Sequence, residues 1–599
     1  MFRPCNSLPW SLPLWLLVPV YHAEATRVSV DAMEVTQSLQ ALDAQPIPLI
    51  AGKQTAVRFY LYCHGSELTV RGWLEVENDV GDLLYLGSER PNRACTRCEN
   101  ERCPGGELPL ADRRSDALLS LNFFIDPDWV REGSLHLRLQ QLEEAATGEI
   151  LEWSGQGERI ISIEQDVPLR LALLSIDLGS GNSPPQEAEL QQAESWLRQA
   201  YPVGQIIASK RTLTSSDPSL RDSCVTINTL VLAARNVDLA TGTDPRTHYY
   251  GMFASFRGPD RGCALGIPDL LGRDPDPLPP VASGLNTSTP GKYAGHEIAH
   301  TLGAHHSCKP RDKNNCCEPD IKKQVPLLSA AGDFVGWSFG DASSGRSPEA
   351  LVGNEWSDIM SYHPKRWVGS ETSRRLRDKL LQEDGLLAVD LSKIQQPTGL
   401  FVGQPINYLN LVGSTKAKFF YMTALSLLPI KPVTSRGLSV YVRDARAKTW
   451  RKAEGAWGKA YRSRCDAGLT YFDILVPMDS QTTGIELQWN LETLATLNVV
   501  LKPLWIKDVC LAPEDPRKPG SRLALVWRGD ERRKVQYSVQ QSIDGGAWET
   551  IAVGLLTRSL PLRNDIAEGE STRFRVAVTD GINSAVEEAP GIRCGAGPR

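Results

Sequence analysis

The segment HEIAHTLGAHH, from His296 to His306, follows the pattern H-E-x-x-H-x-x-G-x-x-H without a mismatch. On a helix, His296 and His300 project from one face a single turn apart, so both imidazoles can bind one metal ion. Gly303 lacks a Cβ and can adopt the left-handed conformation that ends the helix and brings His306 to the same ion. Three histidine ligands leave the fourth position to water, which is typical of a catalytic zinc site.

The pattern is specific because the chain has only nine histidines in 599 residues. The five fixed positions make it much more specific than H-E-x-x-H alone. His305 adjoins His306 and is an alternative third ligand, although the spacing favours His306. Glu297 lies beside the open metal position and is the predicted general base, which takes a proton from water and passes it to the leaving amine.

A second motif, SDIMSY at residues 357–362, predicts a tight turn that carries Met360, with Tyr362 two residues later. In isolation, a methionine and a tyrosine in an apolar turn are ordinary core residues. Together, the two motifs resemble the metzincin metallopeptidases. The resemblance implies that Met360 forms a hydrophobic floor under the three histidines and that Tyr362 lies near the metal. The Tyr362 hydroxyl would then help to stabilise the oxyanion of the transition state.

The chain also departs from the metzincin pattern. Cys308, Cys316 and Cys317 lie between the two motifs and predict a disulfide-capable insertion beside the cleft. Ser307 stands where the adamalysin-like and astacin-like groups carry an acidic residue, so the resemblance indicates the clan and not the branch. Glu318 is the alternative third ligand of a gluzincin, but its context, NNCCEP, does not favour a helix.

The resemblance implies a secreted, zinc-dependent metalloendopeptidase with one catalytic Zn²⁺ and a protein or peptide substrate. Two other classes remain open: a catalytically inactive metzincin-fold adhesin or surface-binding protein, and a zinc hydrolase that does not act on peptides. Glu297 does not ligate the metal, so an inactive protein would have no need to keep it. Its presence favours an active enzyme.

One short segment is the candidate for substrate contact. In the metzincin fold, extended substrate aligns against an edge strand of the upper sheet. The candidate strand consists of Cys263, Ala264, Leu265, Gly266 and Ile267. An interior strand without substrate contact is the alternative. Because the surrounding sequence resembles a cysteine latency motif only loosely, we expect Cys263 to be disulfide-bonded.

The chain divides into five predicted segments: a signal peptide at 1–25 and four domains. Residues 26–167 alternate apolar and polar side chains, as in a β-sandwich, and are either a propeptide or a binding domain. Residues 168–392 combine buried strands with helical spacing and predict the two-lobed α/β metzincin-like catalytic domain. Residues 393–505 predict a further β-sandwich, and residues 506–599 resemble fibronectin type III or immunoglobulin-like modules. These two C-terminal domains are candidates for surface or glycan binding.

The first residues predict export. Arg3, an apolar run over residues 8–20 and the sequence AEA at 23–25 are typical of a cleaved secretory signal. The run is shorter than the roughly 20 residues of a membrane span, and an uncleaved anchor is the alternative. We therefore expect a secreted, extracellular protein without a membrane span.

Charge and cysteine content agree with that expectation. The net charge is -6 with both signs interspersed, so no basic stripe favours nucleic acid or anionic lipid as a partner. Removal of Cys5 with the signal leaves twelve of the thirteen cysteines, which is consistent with up to six disulfides.

Several cysteine pairings can be predicted. Export favours disulfides over a structural zinc cluster, which is the alternative for the group Cys63, Cys95, Cys98 and Cys103. We expect Cys510 and Cys594 to join the ends of the last domain. Cys465 would then tie the preceding β-domain to the catalytic region.

Overall fold

Strands dominate the described part of the chain. The computed structural model describes residues 28–42, 46–63, 68–91, 108–179, 183–216, 223–254, 261–268, 278–306, 328, 333–340, 346–390, 406–414, 421–427, 437–445, 449–462, 470–477, 481–498, 503–518, 520–530, 535–562, 569–581 and 583–594. In these ranges the strands form several sheets, and helices are concentrated in the middle of the chain. The protein is therefore β-rich and built from several sheets, as the alternating patterns predict.

The N-terminal part is a β-sandwich with one short helix, α1 (Leu110–Arg114). Its strands are β1 (Val28–Thr36), β2 (Leu39–Ala41), β3 (Leu49–Ile50), β4 (Thr55–Cys63), β5 (Val70–Asn78), β6 (Leu83–Gly87), β7 (Leu121–Ile125), β8 (Gly133–Glu144), β9 (Trp153–Gly155) and β10 (Glu158–Glu164). One sheet has the order β7-β4-β1-β9 and the other β3-β10-β8-β5-β6. Apolar residues of both sheets share one core, in which the rings of Phe59 and Phe123 pack edge to face at 5.7 Å.

The central part combines strands with longer helices. Its helices are α2 (Glu187–Ala200), α3 (Cys224–Ala240), α4 (Pro290–Thr301) and α5 (Ser370–Asp390). Its strands are β11 (Leu169–Asp177), β12 (Ile206–Thr214), β13 (His248–Phe253), β14 (Gly262–Ala264), β15 (Val281–Leu285), β16 (Phe334–Ser338), β17 (Glu349–Val352), β18 (Ser357–Asp358) and β19 (Arg366–Trp367). The main sheet runs β14-β15-β13-β11-β12, and only β14 is antiparallel to its neighbour.

Both faces of β11 are buried, which explains its continuous apolar sequence. Leu171 and Leu173 belong to the core that contains α2 and α4, whereas Ala172 and Leu174 pack in the core that contains α3. The helices therefore cover the two faces of the sheet, and the metal-motif helix α4 lies on one of them.

Two strands of the main sheet, β12 and β15, were not predicted, and neither were the short strands β16 to β19. β15 lies directly before α4. β12 joins the main sheet although its sequence, IIASKRTLT, carries many polar residues. Pairing with β11 over its whole length compensates for this weak local pattern.

The first C-terminal unit is a sandwich of two four-stranded sheets, β21-β20-β25-β24 and β23-β22-β26-β27. Its strands are β20 (Ile406–Ser414), β21 (Tyr421–Leu427), β22 (Leu438–Asp444), β23 (Trp450–Lys452), β24 (Trp457–Arg462), β25 (Thr470–Pro477), β26 (Thr482–Trp489) and β27 (Glu492–Asn498). Leu411, Val440 and Ile474 contribute to one core between the sheets.

The last unit has a sheet β28-β29-β32 and strands β31-β30-β33-β34. Its strands are β28 (Ile506–Pro513), β29 (Leu523–Gly529), β30 (Gln536–Ile543), β31 (Glu549–Leu555), β32 (Ser559–Pro561), β33 (Gly569–Thr579) and β34 (Ser584–Gly591). The predicted disulfide between Cys510 and Cys594 is confirmed. β31 also pairs with β12 at Thr214 and Ala552, so the main sheet continues into this unit.

The N-terminal sandwich is joined to the central part by main-chain pairing and side-chain contacts. β2 extends the small sheet β17-β16-β2, and Leu39 lies in the same core as α4. The side chain of Ser38 donates to the carbonyl of Ala200, and the Trp367 indole donates to the carbonyl of Ser38. These contacts make the sandwich part of the central fold.

Several sequence predictions lie outside the described residues. They concern the signal peptide, the insertion with Cys308, Cys316 and Cys317, the alternative ligand Glu318, and the pairing of Cys465. Cys63 is disulfide-bonded, which favours bridging over the zinc-cluster alternative. Among the described helices, none combines the length and hydropathy required to cross a membrane.

Candidate metal centre

The helix α4 lies unusually close to α2 because two of its positions are glycine. A Cβ on Gly291 or Gly295 would stand 2.3 Å or 2.1 Å from side-chain atoms of Trp196. Tyr201, just after α2, donates its hydroxyl hydrogen to the carbonyl of Gly295. Pro290 occupies the first turn, where its missing N–H costs no helical hydrogen bond. These contacts fix the helix that carries His296, Glu297 and His300.

The chain turns after α4 as the sequence predicts. Gly303 has φ +83°, the left-handed conformation that a residue with a Cβ rarely adopts. The turn brings His306 back, so that its Nε2 atom lies 3.0 Å from Nε2 of His296 and 3.1 Å from Nε2 of His300. The three histidines form a group that could hold a metal ion.

The protonation pattern of these rings fits a metal site. Nδ1 of His296 lies 2.8 Å from the carbonyl oxygen of Ile359, and Nδ1 of His300 lies 2.8 Å from that of Ala304. A carbonyl only accepts, so both Nδ1 atoms carry the hydrogen and both Nε2 atoms present lone pairs. These lone pairs point into the space that the three Nε2 atoms share, where they could bind a cation.

Burial keeps the three rings neutral. It lowers the pKa of His296 well below its usual value, that of His300 to about 3 and that of His306 to about 4. Metal ligation requires neutral imidazole, so the donor set is ready to bind at neutral pH. Nδ1 of His306 is buried and has no hydrogen-bond partner among the described residues.

The second motif lies directly against the first. Met360 is buried in the core that also contains Ile298 and Ala299 of α4. The carboxylate of Asp358 accepts hydrogen bonds from the Met360 N–H at 2.7 Å and from the Thr372 hydroxyl at 3.0 Å. This carboxylate fixes the turn, and the turn supplies the Ile359 carbonyl that orients His296.

Tyr362 reaches the histidine group from the solvent side. Its hydroxyl lies 3.1 Å from Nε2 of His306, and its side chain is 58% exposed. Its ring lies 5.8 Å from the ring of His296, measured between centroids. The hydroxyl therefore borders the same space as the three Nε2 atoms.

Glu297 is buried and lies against the edge strand β14. A Cβ on Gly262 would stand 2.7 Å from Oε1 of Glu297. Gly262 was not predicted as a site residue, although it immediately precedes the predicted substrate strand. Glycine at this position allows the strand and the carboxylate to approach closely.

The predicted strand from Cys263 to Ile267 is confirmed in part, and its contact with substrate stays a prediction. Cys263 and Ala264 belong to β14, which is the edge of the main sheet, and Cys263 is paired with Cys224 as expected. Leu265, Gly266 and Ile267 lie beyond the strand. The strand prediction was therefore wrong for these three residues, and the side chains of Leu265 and Ile267 are buried.

One polar chain behind α4 was not predicted. Nδ1 of His248 lies 2.7 Å from the hydroxyl of Thr301, and its Nε2 lies 3.2 Å from a carboxylate oxygen of Glu383. In the sequence, His248 was notable only because histidine is rare in this chain. These residues link the end of α4 to α5.

Comparison with known proteins gives no assignment. No protein-family model matches the chain, and no curated protein matches it. Among solved structures, a β-glucuronidase from Parabacteroides merdae aligns at 8% identity over 94% of this chain and 77% of that chain, with a TM-score of 0.12. This score is too low to carry an argument about fold or function.

Proposed function

We propose that the protein is a secreted zinc-dependent metalloendopeptidase of the metzincin type. The observation that carries the proposal is the convergence of three histidine Nε2 atoms beside the buried carboxylate of Glu297 and the hydroxyl of Tyr362. Nitrogen-only ligands in a three-histidine set favour zinc among the common ions. The disulfides between Cys224 and Cys263 and between Cys510 and Cys594 are compatible with export.

The residues of the site divide the chemistry between them. His296, His300 and His306 hold the ion, which supplies a Lewis acid that acidifies water and polarises a carbonyl. The Glu297 carboxylate accepts the proton of the attacking water and transfers it to the leaving amine. The Tyr362 hydroxyl donates to the substrate oxygen as negative charge develops on it.

The edge strand supplies the position for a peptide. β14 pairs on one side with β15, and its other side is the end of the sheet. An extended peptide that adds to this edge passes beside Glu297, because Gly262 contacts that carboxylate. A peptide is therefore a better fit for the substrate than a compact small molecule.

The test compares the purified wild-type protein with Glu297→Gln. We expect both to bind one zinc ion per chain, measured by elemental mass spectrometry. Glu297→Gln should lose at least about a hundredfold of its activity on a denatured protein substrate, because the ligands remain and the proton acceptor does not. Glu355→Gln is the matched control, since Glu355 is exposed and forms only a surface ion pair with Lys365.

The outcomes separate the three classes. Zinc binding without peptide hydrolysis in the wild type identifies an inactive binding protein. Hydrolysis of small esters without hydrolysis of peptides identifies a different zinc hydrolase. Full activity in Glu297→Gln, or in metal-free protein, contradicts the proposed mechanism.

A further inference from the structure

A second cavity lies between the central part and the first C-terminal sandwich. Its volume is about 580 Å³, within the range of small-molecule sites. One wall is formed by the end of α3, residues 278–280 before β15 and residues of α5, and the other by β24 and β25. The cavity also touches Thr301, the residue that follows the ligand His300.

Arg235 is the exceptional residue of this cavity. Its side chain lines the space and is buried, with 8% exposed. Its Nη2 atom donates to the carbonyl of Pro245 at 2.8 Å, but its buried Nε atom has no hydrogen-bond partner in the described part of the chain. A buried guanidinium normally has a carboxylate or phosphate partner, because desolvation of the charge is costly.

Other charged groups at the cavity wall are already engaged. Arg246 pairs with Asp244 and Asp384, and Lys379 lies 3.5 Å from Glu383. Oδ1 of Asp473 accepts from the side-chain amides of Asn410 and Asn236 at 2.8 Å and 3.0 Å. Among the described residues, no carboxylate lies within 4.0 Å of the Arg235 guanidinium. Asp473 and Glu383 act on its charge only from a greater distance, so the guanidinium has no direct anionic partner.

The remaining wall is largely apolar. Leu278 and Pro280 face the cavity from the central part, and Trp457, Tyr461 and Leu475 face it from the sandwich. Aromatic and aliphatic walls bind a hydrophobic body, and a single buried cation fixes an acidic group at one end.

We infer that this cavity binds an amphipathic organic anion, with its acidic group on Arg235 and its apolar body between Pro280 and Trp457. The site is distinct from the metal centre and is independent of the proposed peptidase activity. The guanidinium of Arg235 can donate from its Nη groups to one carboxylate or sulfonate in a charge-assisted hydrogen bond.

Two fluorescent probes with the same aromatic framework test the inference. 1-Anilinonaphthalene-8-sulfonate carries the anionic group, and N-phenyl-1-naphthylamine lacks it. We expect the full-length protein to bind the sulfonate more tightly than the amine. Arg235→Met should weaken sulfonate binding by roughly ten- to a hundredfold, as expected for loss of a charged hydrogen bond, and leave amine binding unchanged.

Two further variants test whether the probes bind in this cavity, and a melting temperature tests whether Arg235→Met is folded. Arg246→Gln is the matched control, because Arg246 lines the same cavity but is already paired; its effect should be small. Ala240→Trp places a large side chain at the cavity wall and should abolish binding of both probes. Arg235→Met should not lower the melting temperature, because it removes a desolvated charge that has no carboxylate partner.

Three results overturn the inference. The first is sulfonate binding that is equally tight in Arg235→Met and wild type. The second is binding of either probe that survives Ala240→Trp, because the probe then binds elsewhere. The third is wild-type protein, folded by circular dichroism, that binds neither probe at micromolar concentration.

Discussion

The imidazole of His296 donates a hydrogen bond from Nδ1 to the carbonyl oxygen of Ile359, 2.8 Å away and 63 positions later in the chain. The bond fixes the tautomer of His296 and directs its Nε2 atom at His306. It also joins α4 to the turn that contains Met360. Ligand geometry in this protein therefore depends on a contact between two motifs that are distant in sequence.

Metal removal should destabilise the fold. A metal that binds only the folded state adds stability in proportion to the logarithm of its concentration over Kd. We expect removal of zinc by a chelator to lower the melting temperature by several degrees, and re-addition of zinc to restore it. His300→Ala should abolish this response, whereas the control His363→Ala, at a half-buried position outside the histidine group, should keep it. A melting temperature that does not respond to a verified loss of metal contradicts the site.

Tyr362→Phe separates a catalytic hydroxyl from a packing role. We expect kcat to fall by roughly ten- to a thousandfold, with zinc content unchanged, because a single oxyanion donor is lost. The side chain is exposed, so the melting temperature should barely change. Tyr85→Phe, at a similarly exposed position, is the control. Unchanged kcat would mean that Tyr362 only packs beside the turn.

Gly262→Ala should impair turnover without loss of metal. The new Cβ would stand 2.7 Å from Oε1 of Glu297 and 2.9 Å from the carbonyl oxygen of Ser283, so the carboxylate must move. We expect kcat to fall by roughly tenfold or more, because a displaced base transfers protons poorly. Gly87→Ala, where nothing lies within 4 Å of the added Cβ, should be active. Equal activity of both variants would show that Glu297 tolerates the displacement.

Lys53 should make stability depend on pH. Burial lowers its pKa to about 7, whereas the value in an unfolded chain is about 10.4. Between these values the unfolded chain binds the proton and the folded chain does not, so stability rises as the pH increases from 7 towards about 10. The melting temperature of the wild type should therefore rise more over this range than that of Lys53→Met. Parallel curves for the two proteins would refute this prediction.

The N-terminal sandwich contains a buried ion cluster that should dominate its stability. Glu34 lies 3.3 Å from Nη1 of Arg58 and 2.7 Å from Nη2 of Arg114. Glu34→Ala leaves two buried guanidinium groups without their carboxylate and should cost about 3–5 kcal/mol of unfolding free energy. The control is Glu371→Ala, which removes an exposed carboxylate between Arg374 and Arg375 and should cost about 1 kcal/mol or less. Denaturant titration measures both.

The same cluster bears on the role of residues 26–167. Nη1 of Arg114 also donates to the carbonyl of Asp333, and the Arg58 guanidinium lies 4.5 Å from the ring centre of Trp337. Both contacts cross from the sandwich to the central part. A propeptide designed for release would not be expected to share a sheet and a buried ion cluster with its enzyme, so these contacts favour a permanent domain.

The sequence alone determined the parts of the molecule that depend on local spacing. His296, His300 and His306 were identifiable because one helical turn and one glycine set their relative positions. The sandwich strands were predictable because apolar and polar side chains alternate within each strand. The bridge from Cys510 to Cys594 was predictable because both cysteines lie in the last domain.

Tertiary structure decided the contacts between segments. The pairing of β2 with β16, the continuation of the main sheet from β12 to β31, and the approach of Gly262 to Glu297 each join residues from different parts of the chain. Such contacts form because burial and main-chain hydrogen bonding offset the entropy of closing long loops. That balance of free energies depends on the whole fold, so a local sequence pattern cannot predict it. For the same reason, the cavity around Arg235 could be found only in the tertiary structure.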